Sequence, residues 1–144
     1  EKKDLLKSIL DKKEDQSFLI FTRTKHKARQ LAVHLVKSGY KASSLHGNLS
    51  VNQRKKAVEG FKKKTFEILV ATDIAARGID IPSISYVINF DIPNSSETYI
   101  HRLGRTGRAN KVGNALTFAT REDMKGIGLI EKGLREKLPL MSGS

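Results

Sequence analysis

The chain has 144 residues and no cysteine, which excludes disulfides, thiolate zinc sites and a cysteine nucleophile and fits a reducing, cytoplasmic environment. Its 38% hydrophobic and 29% charged residues, with no apolar run near the roughly 20 residues of a membrane span, indicate one globular domain and exclude a disordered or membrane-spanning chain. The 27 Lys and Arg residues exceed the 15 Asp and Glu residues by a formal +12, which favours nucleic acid as a partner over the alternative of a merely solubilising basic surface.

Apolar residues alternate between the helical and the strand period along the whole chain. The first predicted elements are, in chain order, a helix over Leu5–Leu10, a strand over Ser17–Thr22, a helix over Ala28–Val36, a strand over Tyr40–Leu45 and a helix over Ser50–Lys63. They are followed by strands over Glu67–Ala71 and Ser85–Phe90, a helix over Tyr99–Leu103, a strand over Ala115–Ala119 and a last helix from a Thr120 cap to Leu138. Strands that are apolar on both faces, separated by amphipathic helices, predict an α/β fold with a mainly parallel sheet and helices on both faces. We expect one domain over residues 1–139 and a frayed end over residues 140–144.

The loop after the second predicted strand leads into a basic helix. Gly47 permits a sharp turn, and the helix N-terminus that follows offers free N–H groups to a phosphate. Arg54 lies one turn before the apolar positions of this helix and is a candidate anion contact. The alternative, a solvated basic face, fits Lys62–Lys64 better, and His46 fits a turn or packing residue better than a catalyst.

The loop after the third predicted strand carries polar residues and a glycine. Thr72 and Asp73 are both good helix caps, and Gly78 ends the short turn that they begin. Asp80 follows at the same edge of the sheet, where ligands of parallel sheets bind and where acidic residues of doubly wound folds accept hydrogen bonds from sugar hydroxyls. The alternative is a plain turn residue before Pro82, and this segment alone does not decide between the two.

Three arginines, Arg102, Arg105 and Arg108, recur at every third position and would lie on adjacent positions of a helical turn. No acid occurs between residues 99 and 120 to pair with them locally, and two glycines stand between them, each costing ~1 kcal/mol in a helix interior. A guanidinium stays charged and its planar fork can bind two phosphate oxygens. The segment therefore predicts an anion site rather than a basic surface helix.

In this order and spacing, the segments resemble the C-terminal motifs of the DEAD-box ATP-dependent RNA helicases, a family of helicase superfamily 2. The similar segments are residues 18–25 for motif IV, 46–54 for the RNA-binding motif after it, 71–80 for motif V, 87–93 for the segment that follows and 101–108 for motif VI. The resemblance covers roughly Leu5 to Pro139 and implies a RecA-like three-layer fold. Five ordered motifs are far more specific than the Gly-Arg-Thr-Gly-Arg sequence of the last one alone.

The resemblance implies roles for individual residues at the nucleotide. It assigns Arg105 and Arg108 to the γ-phosphate of ATP, with Arg108 as the arginine finger, and it assigns Gly78 and Asp80 to the nucleotide edge and the ribose. Arginine fingers of this kind stabilise the charge that builds up in phosphoryl transfer.

The resemblance also implies an RNA surface and an interdomain contact. The residues that it assigns to the RNA backbone are Thr22, Arg23, Gly47, Asn48, Arg54, Thr72 and Asp73. His101 and Arg102 are expected to support contact with the partner domain. RNA recognition through the backbone is expected to be largely independent of sequence.

Two positions depart from the family pattern. Val51 stands where the family often has glutamine, with Gln53 two residues later, which puts the polar contact of that glutamine in doubt. Asn110 stands where a glycine is common, and asparagine tolerates the left-handed backbone well enough that little change is expected.

The chain contains neither a Gly-x₄-Gly-Lys-Ser/Thr loop nor an Asp-Glu-Ala-Asp sequence. The resemblance therefore implies that the phosphate cradle and the Mg²⁺ ligands for ATP lie on an N-terminal RecA-like domain absent from this chain, and no metal site is expected here. The expected partners are RNA and that domain, with no membrane. The 144-residue chain alone is expected to be monomeric, with negligible ATPase and at most weak RNA affinity.

Two other functions remain open at this point. A DNA helicase or translocase of the same superfamily would share the fold, although motif VI of those families usually begins with glutamine where this chain has His101. A non-enzymatic nucleic-acid-binding module would explain the charge, but it would explain neither the spacing of Arg105 and Arg108 nor Asp80.

Overall fold

Short strands alternate with helices in the computed structural model, which describes residues 2–12, 16–46, 49–63, 65–76, 84–92, 95, 97–98, 102, 114–119, 123–134 and 140–142. The described helices are α1 (Lys2–Lys12), α2 (Lys25–Lys37), α3 (Val51–Lys62), the short α4 (Asp73–Ala76) and α5 (Met124–Leu134). The described strands are β1 (Phe18–Phe21), β2 (Ala42–Leu45), β3 (Ile68–Ala71), β4 (Tyr86–Asn89), β5 (Asn114–Ala119) and β6 (Leu140–Ser142). None of the described helices is long and apolar enough to span a bilayer.

The described strands form one sheet in the order β2-β3-β1-β4-β5-β6, and each neighbouring pair is parallel. β1 lies between β3 and β4, with Phe21 level with Ala71 on one side and with Asn89 on the other. The predicted α/β fold with a mainly parallel sheet is confirmed. Because the strands run the same way, the loops that follow β1, β3 and β4 leave the sheet at one edge.

Helices cover both faces of the sheet, as predicted. Side chains of β1 alternate between two apolar cores, since Phe18 and Ile20 point to one and Leu19 and Phe21 to the other. The first core contains buried residues of α1 and α2, namely Leu6, Ile9, Leu10, Ala28, Leu31, Ala32 and Leu35. The second contains buried residues of α3, namely Ala57, Val58 and Phe61.

The prediction of a frayed end is wrong for residues 140–142, which form β6 and pair with β5. Leu140 lies level with Thr117 and Met141 with Phe118. A sheet edge offers a row of unpaired backbone N–H and C=O groups, and even three residues gain hydrogen bonds by adding to it. Three residues next to Gly and Ser are too few to show a strand period, so the sequence pattern alone missed this strand.

The glycines of α3 and α5 differ in the space beside them. A Cβ on Gly60 would lie 2.5 Å from Cε2 of Phe66, because the carbonyl of Gly60 accepts the N–H groups of Thr65 and Phe66 and brings that ring over the helix. A Cβ on Gly128 would meet nothing within 4 Å. α3 therefore requires glycine at position 60 for close packing, whereas α5 has no such requirement at position 128.

We expect Gly60→Ala to lower the free energy of unfolding by about 1–3 kcal/mol, the usual cost of overpacking. Its matched control, Gly128→Ala, is expected to raise that free energy by up to ~1 kcal/mol, because alanine is the better helix residue where space is free. Urea unfolding followed by circular dichroism measures both. Equal shifts in the two variants would contradict the packing of Phe66 against Gly60.

Candidate functional site

Four of the predicted site residues meet at the carboxyl edge of the central strands. Thr22 and Arg23 follow β1, and Thr72 and Asp73 follow β3. The backbone N–H of Thr22 donates to the carbonyl of Ala71 at 3.0 Å, so the sheet ladder continues into the first residue after β1 and keeps the two loops side by side. The structure thus brings the loops of motifs IV and V together, because both follow neighbouring parallel strands.

The loop after β1 has one buried and one exposed site residue. Thr22 is 0% exposed, and its hydroxyl donates to the carbonyl of Thr24 at 3.1 Å. The Thr24 side chain in turn accepts the backbone N–H of Lys27 and caps α2. Arg23, between the two threonines, is exposed. Thr22 therefore shapes the loop from within, and Arg23 is the side chain that this loop presents to solvent.

The guanidinium of Arg102 forms the centre of a buried network at this edge. Arg102 is 2% exposed, and its Nε and Nη2 donate to the two carboxylate oxygens of Asp73 at 2.6 and 2.7 Å. Its Nη1 donates to Oδ1 of Asn89 at 2.9 Å and to the carbonyl of Asp91 at 3.0 Å. The guanidinium carbon lies 4.9 Å from the centroid of the Phe21 ring. A buried charge is tolerated when it is paired and its donors are used, and this network meets both conditions.

One expectation about Arg102 is corrected by this network. Although no acid lies near Arg102 in the sequence, its guanidinium is paired, because its partner Asp73 lies 29 positions earlier, just after β3. The expected support of an interdomain contact by Arg102 stays a prediction, and only 2% of the residue is exposed. Any support that Arg102 gives to an interdomain contact acts through the residues that it holds, above all Asp73.

Sequence reasoning missed Asn89, which extends the network across the sheet. Its Nδ2 donates to the hydroxyl of Thr117 at 3.0 Å, and both residues are almost fully buried. Asn89 therefore joins Arg102 on one side to β5 on the other. The signal in the sequence was an amide at the end of an otherwise apolar strand, because a buried polar side chain in such a place needs a partner.

Sequence reasoning also missed Asp91, a residue that is 5% exposed and lies just beyond β4. Its Oδ2 accepts the backbone N–H of Arg23 at 2.8 Å. Its Oδ1 lies 3.6 Å from Nζ of Lys2 and 3.5 Å from Nζ of Lys27. Lys2 also donates to the carbonyl of Phe90 at 2.9 Å, so the start of α1 is tied to the same strand end.

Arg54 and its helix complete the described part of the site. Nη2 of Arg54 donates to the carbonyl of Ala75 at 3.2 Å, which joins α3 to the short α4 of motif V. Ser50 and Gln53 form a capping box at the start of α3, each side chain accepting the backbone N–H of the other. Gln53 is therefore used in the helix cap, and Val51 between them is 80% exposed.

His46 follows β2 and is only 6% exposed. Burial, helped by the nearby charges of Arg29 and Lys25, lowers the pKa of His46 below its usual value and favours the neutral imidazole. A buried, neutral ring at a strand end agrees with the packing role expected from the sequence.

The remaining predicted site residues lie outside the described part of the chain. They are Gly47, Asn48, Gly78, Asp80, His101, Arg105 and Arg108. Among the described residues, no group of three or more His, Cys, Asp or Glu side chains is placed to hold a metal ion. The two carboxylates of the described edge, Asp73 and Asp91, are already used by Arg102 and by the Arg23 backbone with its two lysines.

The chain matches the model of the helicase conserved C-terminal domain over residues 1–110. It is 50% identical over 121 residues to the ATP-dependent rRNA helicase RRP3 of Phaeosphaeria nodorum. The aligned region covers 84% of this chain and 22% of that protein. The chain therefore spans only about a fifth of this relative's length.

Solved structures of DEAD-box proteins share the fold. The chain superposes on E. coli SrmB, from its complex with the regulator of ribonuclease activity A, with a TM-score of 0.90 at 35% identity over 97% of this chain and 82% of that one. It superposes on S. cerevisiae Dbp5 bound to RNA and ADP BeF3 with a TM-score of 0.88 at 32% identity, over 98% of this chain and 38% of that one. The RecA-like fold expected from the sequence is confirmed, and the chain belongs to the DEAD-box ATP-dependent RNA helicases as their C-terminal helicase domain.

Proposed function

We propose that this domain binds the RNA backbone at the carboxyl edge of its sheet and supplies arginines to an ATP held by an N-terminal RecA-like domain. The observation that carries the proposal is the meeting of the loops after β1 and β3, with Arg54 joined to α4 beside them. Exposed Arg23 and half-exposed Arg54 and Thr72 offer guanidinium and hydroxyl groups to phosphate oxygens and 2′-hydroxyls. None of these groups reads a base, so RNA would be bound largely without regard to sequence.

The buried network would serve the RNA surface by holding it in place. Asp73 is fixed by two hydrogen bonds from Arg102, so its carboxylate anchors the start of α4. Because 29% of its side chain is exposed, the same residue could also contact RNA through that exposed part. A rigid support of this kind lowers the entropy cost of binding a flexible strand.

Nucleotide chemistry would be shared between two domains. Asp80 and Gly78 would hold the ribose edge, and Arg105 and Arg108 would reach the γ-phosphate across a cleft. Mg²⁺ with its ligands would belong to the N-terminal domain, since the described carboxylates of this edge are already paired. ATP and RNA bound to both domains would stabilise a closed cleft, and loss of the γ-phosphate would release it. A strand bent in the closed cleft cannot stay in a duplex, which would separate short RNA helices locally.

We expect the full-length protein to hydrolyse ATP with strong stimulation by RNA, and the 144-residue chain alone to show no multi-turnover hydrolysis. The reason is that the chain has no Walker-type loop to cradle the phosphates. A coupled ATPase assay with single-stranded RNA, and with DNA of the same sequence as the matched control, measures both. ATP turnover by the 144-residue chain alone would refute the sharing of the nucleotide site between two domains. Stimulation by DNA equal to that by RNA would favour a DNA translocase. No stimulation by either nucleic acid would favour a binding module without enzymatic activity.

A further inference from the structure

Asp91 is a buried carboxylate in a strongly basic chain, and both of its oxygens are used. Oδ2 accepts the N–H of Arg23 at 2.8 Å, whereas Oδ1 faces the ammonium groups of Lys2 and Lys27 at 3.6 and 3.5 Å. Only 5% of the residue is exposed. A carboxylate in such a place is retained when each oxygen has its own donors, because an unpaired buried charge is strongly unfavourable.

The main chain of Asp91, just after β4, is joined through Arg102 to the loop after β3. Its carbonyl accepts Nη1 of Arg102 at 3.0 Å, and the same guanidinium holds Asp73. Its N–H donates to the carbonyl of Phe21 at 3.3 Å. One residue is therefore joined through its side chain to the loop that carries Arg23, and through its backbone to the network that carries Asp73.

The bond from Arg23 to Asp91 fixes the peptide plane between Thr22 and Arg23. That plane sets the direction of the carbonyl of Thr22 and the position of the Arg23 Cα, which carries a side chain exposed at the edge of the sheet. Lys2 and Lys27 neutralise the carboxylate from two different helices, α1 and α2, so it adds little repulsion towards a phosphate.

We infer that Asp91 is a positioning residue for RNA, which holds the loop over residues 22–24 in its binding shape without touching the nucleic acid itself. The inference rests on the proposed function, because it concerns the affinity of the RNA surface described there. Asp91 differs from the residues proposed to contact RNA directly, because it acts through the backbone of Arg23 and its own side chain is buried.

Asp91→Asn tests the inference with almost no change of shape. An amide has one oxygen, so its NH₂ group must face either the N–H of Arg23 or the two ammonium groups, and one set of partners is lost in either orientation. In the full-length helicase we expect the RNA concentration for half-maximal ATPase to rise about 10-fold, the scale of one lost hydrogen bond to a charged group. The kcat at saturating RNA and the KM for ATP are expected to stay within about two-fold of wild type, because RNA binding and not chemistry is changed.

Asp123→Asn is the matched control. Its carboxylate also lies near Lys2, at 4.0 Å from Nζ, but the residue stands at the start of α5 rather than at the end of β4. We expect wild-type half-saturation by RNA in this variant. In the 144-residue chain, hydrogen exchange at the Arg23 amide followed by NMR is expected to be faster in Asp91→Asn than in Asp123→Asn.

The outcomes separate the inference from the proposed function. An Asp91→Asn protein with wild-type half-saturation, or one that loses kcat while its half-saturation is unchanged, would overturn the positioning role and leave the proposed function intact. A wild-type protein without RNA-stimulated ATPase would instead overturn the proposed function. Should Asp91→Asn fail to fold by circular dichroism, Asp91→Ser, whose smaller side chain leaves room for water at the vacated oxygens, carries the same expectations.

Discussion

Replacing Arg108 with lysine in the full-length helicase is expected to lower ATP turnover by about 10³-fold or more while RNA affinity changes little. Arg108 is assigned as the arginine finger by the resemblance of residues 101–108 to motif VI. Lysine keeps the positive charge but replaces a rigid fork with a single ammonium, so it cannot hold two oxygens of the transferring phosphoryl group together. The loss therefore reports on geometry at the phosphate and not on charge alone.

Single-turnover ATP hydrolysis at saturating RNA measures the effect, and RNA affinity is measured separately by fluorescence anisotropy. The matched control is Arg29→Lys, the same exchange at an exposed position of α2, which is expected to turn over ATP like the wild type. Normal turnover by Arg108→Lys would exclude the finger role. A parallel loss of RNA affinity would instead assign Arg108 to the nucleic acid.

The fold could be predicted from the sequence because its central strands are buried on both faces. All four residues of β1 and all four of β3 are buried, so each appears in the sequence as an uninterrupted apolar run. The edge strand β6 was missed because it has three residues and gains its stability from pairing with β5, a contact that leaves no local pattern.

The candidate site could be predicted only as a set of loops. The sequence placed the loop of Thr72 and Asp73 at the carboxyl edge of the sheet, and the loop of Thr22 and Arg23 lies beside it because the carboxyl ends of parallel strands share that edge. The contacts of Arg102 at this edge could not be predicted, since its partners lie 29, 13 and 11 positions away, one just after β3 and two at the end of β4.

The capping box of α3, unlike the contacts of Arg102, is a feature that could be predicted from the sequence. Ser50 and Gln53 have the spacing of a capping box, a local pattern that the sequence displays. The family pattern instead has glutamine at the position of Val51. The structure shows that Gln53 serves the helix N-terminus, so it is not free to replace the contact that Val51 lacks.

Arg102→Met is expected to cause the largest loss of stability of any single change proposed for this domain, about 3 kcal/mol in the free energy of unfolding. Methionine replaces much of the volume of the arginine side chain but leaves the Asp73 carboxylate, the Asn89 amide and the Asp91 carbonyl without their shared donor. The expected loss lies at the lower end for a broken buried pair, because 29% of the Asp73 side chain is exposed and water can reach its oxygens.

Urea unfolding of the 144-residue chain measures this loss, with Lys56→Met, at an exposed position of α3, as the matched control expected to stay within about 0.5 kcal/mol of wild type. The double variant Arg102→Met/Asp73→Asn tests the cause. If the pairing with Asp73 carries the effect, the double variant is expected to be more stable than the sum of the two single losses predicts, because the neutral amide that replaces the carboxylate no longer needs the lost guanidinium. If the two single losses of stability simply add, Arg102 stabilises the domain through Asn89, the Asp91 carbonyl and the Phe21 ring. In that case the carboxylate of Asp73 is available to contact RNA.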